Sequence, residues 1–320
     1  MIRAVAAILV AALSLLAPVS ASAQAWPTKT VRIIVAYPPG GATDLQARLV
    51  AAKLTERWGV PVIVENKPGA NTVIATDAVA KAAPDGLTVL LTAMPYALNP
   101  MLIAKLPYNT ATDLVPVTLM ATIPNVLVVY PGLPVNSLND LIKLARAEPG
   151  SLSFASTGQA TSTHLSGELF AKMVGVKLNH IPYKGSAPAH LDLISGRVSM
   201  MFDNGSLQHI RSGKLKAIAV TSAKRVPWLP DTPTMMEQGL EGYEAEAWYG
   251  VFAPGGTPPE IVRKLASEIT WALRSPDTVE KLTVAGAIVG GGTPEEFQKF
   301  LAAETAKWGR LVKDLGMKPE

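Results

Sequence analysis

Two stretches of the chain carry residues that could hold an anion without a basic side chain. In the first, AYPPGGATDLQAR (residues 36–48), two prolines and two glycines follow an apolar run and lead at once into Thr43 and Asp44. A helix starting there has first-turn N–H groups with no internal partner, and glycine lets the backbone approach a ligand closely. Tyr37, Pro39, Gly40, Gly41, Thr43 and Asp44 are the candidate contacts, although the same residues also suit an ordinary, well-capped strand-to-helix turn. In the second, STGQATSTHLSGELF (residues 156–170), Gly158 supplies a turn. Ser156, Thr157, Thr161, Ser162 and Thr163 offer hydroxyls beside another helix start, with Gln159 in the loop and His164 on the helix. Two such helix ends facing one cleft would grip a carboxylate, each charge-assisted hydrogen bond being worth roughly 1.5–3 kcal/mol.

Two further positions belong to the same candidate edge. Tyr183 precedes a helix expected to be capped by Ser186, and the neighbouring Lys184 reads first as a solvated surface lysine and only second as a ligand contact. Asp203 stands at the end of the run 198–202, the strand end at which open α/β sheets bind ligands. An Asx turn or a helix cap is the alternative reading of that aspartate.

Other chemistries find no motif. The loop at 38–44 fits neither G-x-x-x-x-G-K-[ST] nor G-x-G-x-x-G, and it has no lysine to meet a phosphate. The four histidines, His164, His180, His190 and His209, give no H-E-x-x-H pair, and G-x-S-x-G is absent. With no cysteine there is neither a thiol nucleophile nor a cysteine metal site. No catalytic residue, metal or cofactor is expected.

The elements that must position these residues are legible as short β-branched runs alternating with amphipathic stretches. The runs lie at 31–36, 62–65, 88–92, 126–130, 152–156, 198–202, 215–221 and 250–253. That alternation predicts an α/β fold with largely parallel sheets. Helix starts are signalled at Thr257 and Thr293 by T-x-x-E capping boxes with proline in the first turn, and at Thr43 by a T-x-x-Q version.

A chain of 320 residues that is 48% hydrophobic and 17% charged is long enough for two moderate cores. Its net charge of +4 comes from basic residues scattered singly among acids, so no basic stripe for nucleic acid is present. After Arg3, an apolar and small-residue run extends to about Ser20 and ends in Ala21-Ser22-Ala23. This reads as a signal peptide over residues 1–23, cleaved near Ala23/Gln24, which marks the mature chain for export. The run is shorter than the ~20 residues a membrane anchor needs.

With these junctions in view, the sequence resembles the Bug family of extracytoplasmic solute receptors, the binding components of tripartite tricarboxylate transporters. The resemblance runs from Trp26 onward through YPPGGATD, VENKPGA, AAPDGLTVLL, LPYN with DLVPVTL, STGQATSTHLSGELF, HIPYKGSAPAHLDL, MMFDN, GKLKAIAVTSAKR and GTPPEIV. It implies a two-lobe α/β periplasmic binding protein, a type II-like clamshell with its cleft between the lobes. Residues 24–125 and 248–320 would form lobe 1 and residues 126–247 lobe 2, with crossings near 124–126 and 246–249. It further implies a monomer that takes a di- or tricarboxylate, an acidic amino acid or an aromatic acid, and that serves the membrane subunits of a tripartite transporter. A receptor feeding a two-component system, or an exported enzyme on the same fold, would be the alternatives. Three departures concern the ligand. Asn71, Thr72 and Val73 stand where the family has the glycine-rich GAGGNIG, which brings Asn71 and Thr72 into the candidate site; Gln159 and Ala160 stand where asparagine and glycine are usual; and the segment from Asn204 to His209 is shorter.

Overall fold

In the computed structural model, which describes residues 26–317, the apolar run Val31–Val35 is strand β1, and every residue of it but Arg32 is buried. It is followed by α1 (Ala42–Trp58), β2 (Val62–Asn66), a 3-10 turn (Ala70–Thr72), α2 (Val73–Ala80), β3 (Thr88–Ala93) and α3 (Pro95–Leu102). Next come β4 (Leu114–Pro124), β5 (Val126–Val129), α4 (Leu138–Ala147), β6 (Ser153–Ser156), α5 (Ser162–Val174), β7 (Asn179–Pro182), α6 (Ser186–Ile194), β8 (Met200–Asp203), α7 (Leu207–Arg211) and β9 (Lys216–Val220). The chain then returns through β10 (Glu246–Pro254) to α8 (Pro259–Leu273), α9 (Pro276–Val284), β11 (Ile288–Val289) and α10 (Pro294–Asp314). The signal-peptide reading concerns residues that lie outside those described. Within the described residues, no helix is long and apolar enough to cross a membrane.

Two sheets result, in the orders β11-β4-β10-β3-β1-β2 and β7-β6-β8-β5-β9. The expectation of largely parallel sheets is corrected: each is mixed. β2-β1-β3 and β7-β6-β8 run parallel, whereas β10 is antiparallel to both β3 and β4, and β5 is antiparallel to both β8 and β9. The strands that carry the chain from one sheet to the other cause this, because β4 leaves the first sheet and β10 re-enters it alongside in the opposite sense. β4 holds Pro116 opposite Phe252, next to a register shift, which is where a strand tolerates a residue without an N–H.

The two crossings are tied to one another by buried hydrogen bonds. The Asn125 N–H donates to Thr221 Oγ1 at 2.8 Å, Thr221 Oγ1 lies 2.6 Å from the Ala245 carbonyl, and Asn125 Nδ2 donates to Ser166 Oγ at 2.9 Å. Asn125 and Thr221 are both wholly buried, so breaking this knot would strand polar groups away from water.

Of the three predicted capping boxes, one forms. Thr293 Oγ1 accepts from the Glu296 N–H at 3.1 Å, and Glu296 Oε2 accepts from the Thr293 N–H at 2.8 Å. At α8 the cap is Pro258, and the Thr257 hydroxyl turns back to the Pro254 carbonyl. At α1 the cap is Gly41, which leaves Thr43 as the second helical residue with no capping bond. α6 begins at Ser186 with Gly185 as its cap, and the Ser186 hydroxyl is spent elsewhere.

Candidate functional site

Strand register decides which loops meet. β1 ends at Val35, paired with Leu91 of β3, and Ala93 two residues on pairs with Tyr249 of β10, so the loops after β1 and β3 leave one edge of the first sheet together. On the second sheet, Ser156 pairs with Pro182 and Asp203 with Val126, which brings the ends of β6, β7 and β8 to one edge beside the start of β5.

A cavity of about 570 Å³ lies between the loop that follows β6 and residues that follow β2 and end α3. One wall is Asn71, Leu102, Ile103 and Met317; the other is residues 157–161, the loop between β6 and α5. The structure therefore brings together five of the sequence-predicted residues: Asn71, Thr157, Gly158, Gln159 and Thr161. No ionisable side chain is among the lining residues. An anion held there meets neutral donors and the N-terminal end of the 13-residue helix α5.

The loop is shaped by its own hydroxyls. The Thr161 hydroxyl donates to the Gly158 carbonyl at 2.7 Å, so in its 2.9 Å contact with Thr163 it accepts. Thr163 thereby spends its proton on Thr161, and the Thr157 hydroxyl donates to Thr163 at 3.0 Å. Thr163 also accepts the Thr157 N–H at 2.9 Å, which makes it the hub of the loop. Gly158 takes φ 132°, and its N–H donates to Ser156 Oγ at 3.2 Å. Ala160 sits at φ 56° and donates its N–H to His164 Nδ1 at 3.1 Å. The amides of Gln159 and Thr161, and those of Ser162 and Thr163 in the first helical turn, keep no partner among the described residues.

Ser156 and His164 support this loop from behind, where the sequence placed them as contacts. His164 is buried; because its Nδ1 accepts, Nε2 carries the hydrogen and faces Glu168 Oε1 at 3.5 Å. His180 stacks on it with ring centroids 4.1 Å apart and lies 2.7 Å from Ser156 Oγ. Burial and then the neighbouring His164 depress the His180 imidazole from 6.5 to about 4. The folded ring thus refuses a proton that the unfolded chain accepts, and stability falls as pH drops from about 6.5 to about 4. His180→Asn is expected to flatten that slope in urea titrations run across this window. His164, Glu168 and His180 bring donor atoms within 4.8 Å of one another. They do not suit a metal, because the His164 tautomer turns a proton toward the common space and the stacked rings keep their in-plane lone pairs from converging.

The loop after β1 stands at the same edge but outside the cavity lining, with Pro39, Gly40 and Gly41 exposed. Asp44, read from sequence as a ligand contact, faces inward and holds the loop. Its Oδ2 accepts from Arg48 Nε at 2.9 Å and the Gly40 N–H at 3.0 Å, and its Oδ1 accepts from Asn66 Nδ2 at 2.9 Å. Asn66 also ties down the Tyr37 carbonyl at 3.0 Å. Arg48 first, then Gly40 and Asn66, hold the carboxyl at about 2, below its usual 3.8. The carboxylate therefore stabilises the fold above pH ~4, and this contribution is lost as pH falls toward 2, an effect of about 2 kcal/mol for a 4% exposed group. Asp44→Asn should remove that acid-side loss, as read by denaturant midpoints between pH 2 and 4. Thr43 is buried in the first turn of α1. Burial, then Tyr249, push the Tyr37 phenol well above its ordinary range; burial, then Asp203, push Tyr249 up to about 12.

The remaining predicted contacts lie outside the cavity lining. Tyr183 donates its hydroxyl to Asp192 Oδ2 at 2.8 Å. Asp203 is wholly buried, and its carboxylate accepts from His190 Nε2 at 2.7 Å, the Gly205 N–H at 3.0 Å and Ser186 Oγ at 3.2 Å. Thr72 is buried behind Asn71. Ala70, Asn71 and Thr72 take φ 45°, 49° and 77°, three consecutive non-glycine residues in the left-handed region. Each such residue costs about 1–3 kcal/mol and persists only where its surroundings enforce it.

Sequence reading missed Leu102, Ile103, Met317 and the buried Asn99, none of which carries a local signal; it named Thr163 only as one of the hydroxyls in the STGQATST stretch. A larger groove of about 850 Å³ runs over the outer face of α10 against α3, with Leu301, Ala302, Ala306 and Gly309 in its floor. None of the predicted residues lines it.

A family model described as the tripartite tricarboxylate transporter family receptor matches residues 46–317. Protein BugT of Bordetella pertussis is 41% identical over 319 residues, covering 98% of this chain and 97% of that protein. Among solved structures, R. palustris Rpa4515 with adipate is 40% identical and superposes with a TM-score of 0.82, covering 92% of this chain and 100% of that one. MatC (Rpa3494) from Rhodopseudomonas palustris with bound malate is 32% identical with a TM-score of 0.77, covering 90% and 100%. The architecture is that of a periplasmic binding protein, two α/β lobes with a cleft between them. The chain belongs to the tripartite tricarboxylate transporter receptor family, to which the Bug proteins also belong.

Proposed function

We propose that this protein is an exported periplasmic receptor that captures a small carboxylate between its lobes and presents it to the membrane subunits of a tripartite transporter. Lobe 1 comprises residues 24–125 and 248–320, and lobe 2 residues 126–247. The receptor works as a monomer without a cofactor. The observation that carries this reading is the interlobe cavity, whose polar wall is a helix N-terminus with unspent amides and whose lining includes no cation. That chemistry suits a carboxylate held by several neutral donors at once. The loop after β1 is the second jaw, because Gly40 and Gly41 stand exposed at the sheet edge that it shares with the loop after β3. Similarity to proteins solved with adipate and with malate supports the ligand class. The apolar side of the cavity, Leu102, Ile103 and Met317, favours acids with a methylene or aryl body over heavily hydroxylated ones.

Thermal denaturation of the ligand-stripped mature chain against dicarboxylates, tricarboxylates, acidic amino acids and aromatic acids tests this. An acid present at a hundred times its dissociation constant adds about 2.7 kcal/mol and raises the midpoint by several degrees. No shift with any acid would defeat the carboxylate assignment.

A further inference from the structure

We infer that Asn99 is the positioning residue that sets the ligand preference of the interlobe cavity, acting through Asn71. Asn99 is wholly buried on α3, one turn before Leu102 of the cavity wall. Its side chain makes three bonds to the left-handed turn. Nδ2 donates to the Asn71 carbonyl at 2.8 Å and lies 3.3 Å from Thr72 Oγ1, while Oδ1 accepts from Asn71 Nδ2 at 2.8 Å. One carboxamide thus holds both the main chain and the side chain of the residue that faces the ligand space. Left-handed backbone at three successive side-chain-bearing residues needs such an external clamp, since only Asn71 among the three is a type that takes it readily.

The consequence is chemical. With one of its N–H bonds committed to Asn99, Asn71 keeps a second N–H and an amide oxygen that accepts no bond among the described residues. It stands on the wall opposite residues 157–161. A ligand gripped at one end by the α5 terminus therefore meets, at its other end, a neutral carboxamide fixed in direction. Such a group rewards a second polar terminus and penalises its absence, because a fixed amide that loses its partner is left desolvated. Asn99 makes the cavity select a two-ended acid over a one-ended acid of the same length.

The binding arm of the test rests on the carboxylate-receptor reading, whereas the exchange arm does not. In the ligand-free protein, Asn99→Ala should speed hydrogen exchange of the amides at 72–76 by about ten- to a hundredfold and leave those at 162–170 unchanged. Equal exchange at 72–76 in the two proteins would overturn the clamp. In calorimetry, the preference for adipate over hexanoate should fall about tenfold in Asn99→Ala and in Asn71→Ala, and no further in the double variant, as residues acting in one unit require. An unchanged preference, or losses that simply add, would overturn the inference. Should Asn99→Ala fold poorly, Ala70→Gly in the same chain removes one left-handed side chain and is expected to restore the melting midpoint but not the preference. Restoration of both would show Asn99 to be structural only. If the wild-type chain binds neither acid, the selection of a two-ended over a one-ended acid is overturned while the carboxylate reading still rests on the thermal panel, and the exchange comparison still decides the clamp.

Discussion

Asp203→Ala is expected to destabilise the protein by about 3–5 kcal/mol, because it strands three buried donors at once, each worth roughly 1–3 kcal/mol when left unpaired. Those donors are His190 Nε2, the Gly205 N–H and Ser186 Oγ, and the carboxylate that joins them has no exposed surface. It binds the end of β8, the turn beyond it and the first residue of α6 into one unit. The loss should appear as a drop in midpoint on the order of 10 °C and a matching shift in urea, with the slope of the urea transition unchanged. Asp203→Asn keeps the shape but turns an amide group toward at least one donor, so an intermediate loss is expected. If Asp203 were instead a ligand contact, alanine would weaken binding while leaving the midpoint within a degree or two. The two outcomes are separable in one pair of experiments.

Thr163→Val is expected to weaken ligand binding by about a hundredfold, equivalent to about 2.7 kcal/mol, more than any single substitution among the residues that line the cavity. Thr163 lies outside the lining, yet three bonds converge on its hydroxyl: the Thr157 N–H, the Thr157 hydroxyl and the Thr161 hydroxyl. Valine fills the same volume and removes all three, so the loop at 157–161 loses the fixed direction of its unspent amides while α5 keeps its Thr161 cap. Thr157→Val removes only the outermost donor of the relay, and a loss nearer tenfold is expected. Calorimetric titration of both variants with the same acid checks the order. Equal binding by Thr163→Val and wild type would show that the relay does not position the site.

The two cases also show how the site's residues divide between what the sequence discloses and what it conceals. The junction at 156–170 is legible because glycine, hydroxyls and a helix start advertise backbone donors in a run of adjacent residues. Asp44 and Asp203 were picked out by type, but side-chain direction depends on partners distant in sequence. Asn66 is 22 residues from Asp44, and His190 is 13 from Asp203. The left-handed residues at 70–72 and at Ala160 were invisible because none is a glycine, and a tertiary clamp supplies what the residue type does not. Met317 reaches the cavity from the far end of the chain by way of α10, a juxtaposition that no local pattern contains. Among the strands, the run at 31–36 is plain from its β-branched residues. β4 was missed because Pro116 and Pro124 read as punctuation, whereas pairing with β10 carries the strand through both positions.

The measurement that tests the central claim most directly is a crystal structure of the mature chain with the acid that gives the largest thermal shift. The account predicts a carboxylate in the interlobe cavity, within hydrogen-bond reach of the unspent amides of Gln159, Thr161, Ser162 and Thr163, with the opposite end of the acid against Asn71. Density for the acid in the groove along α10, or a carboxylate bound by a basic side chain away from residues 157–161, would contradict it.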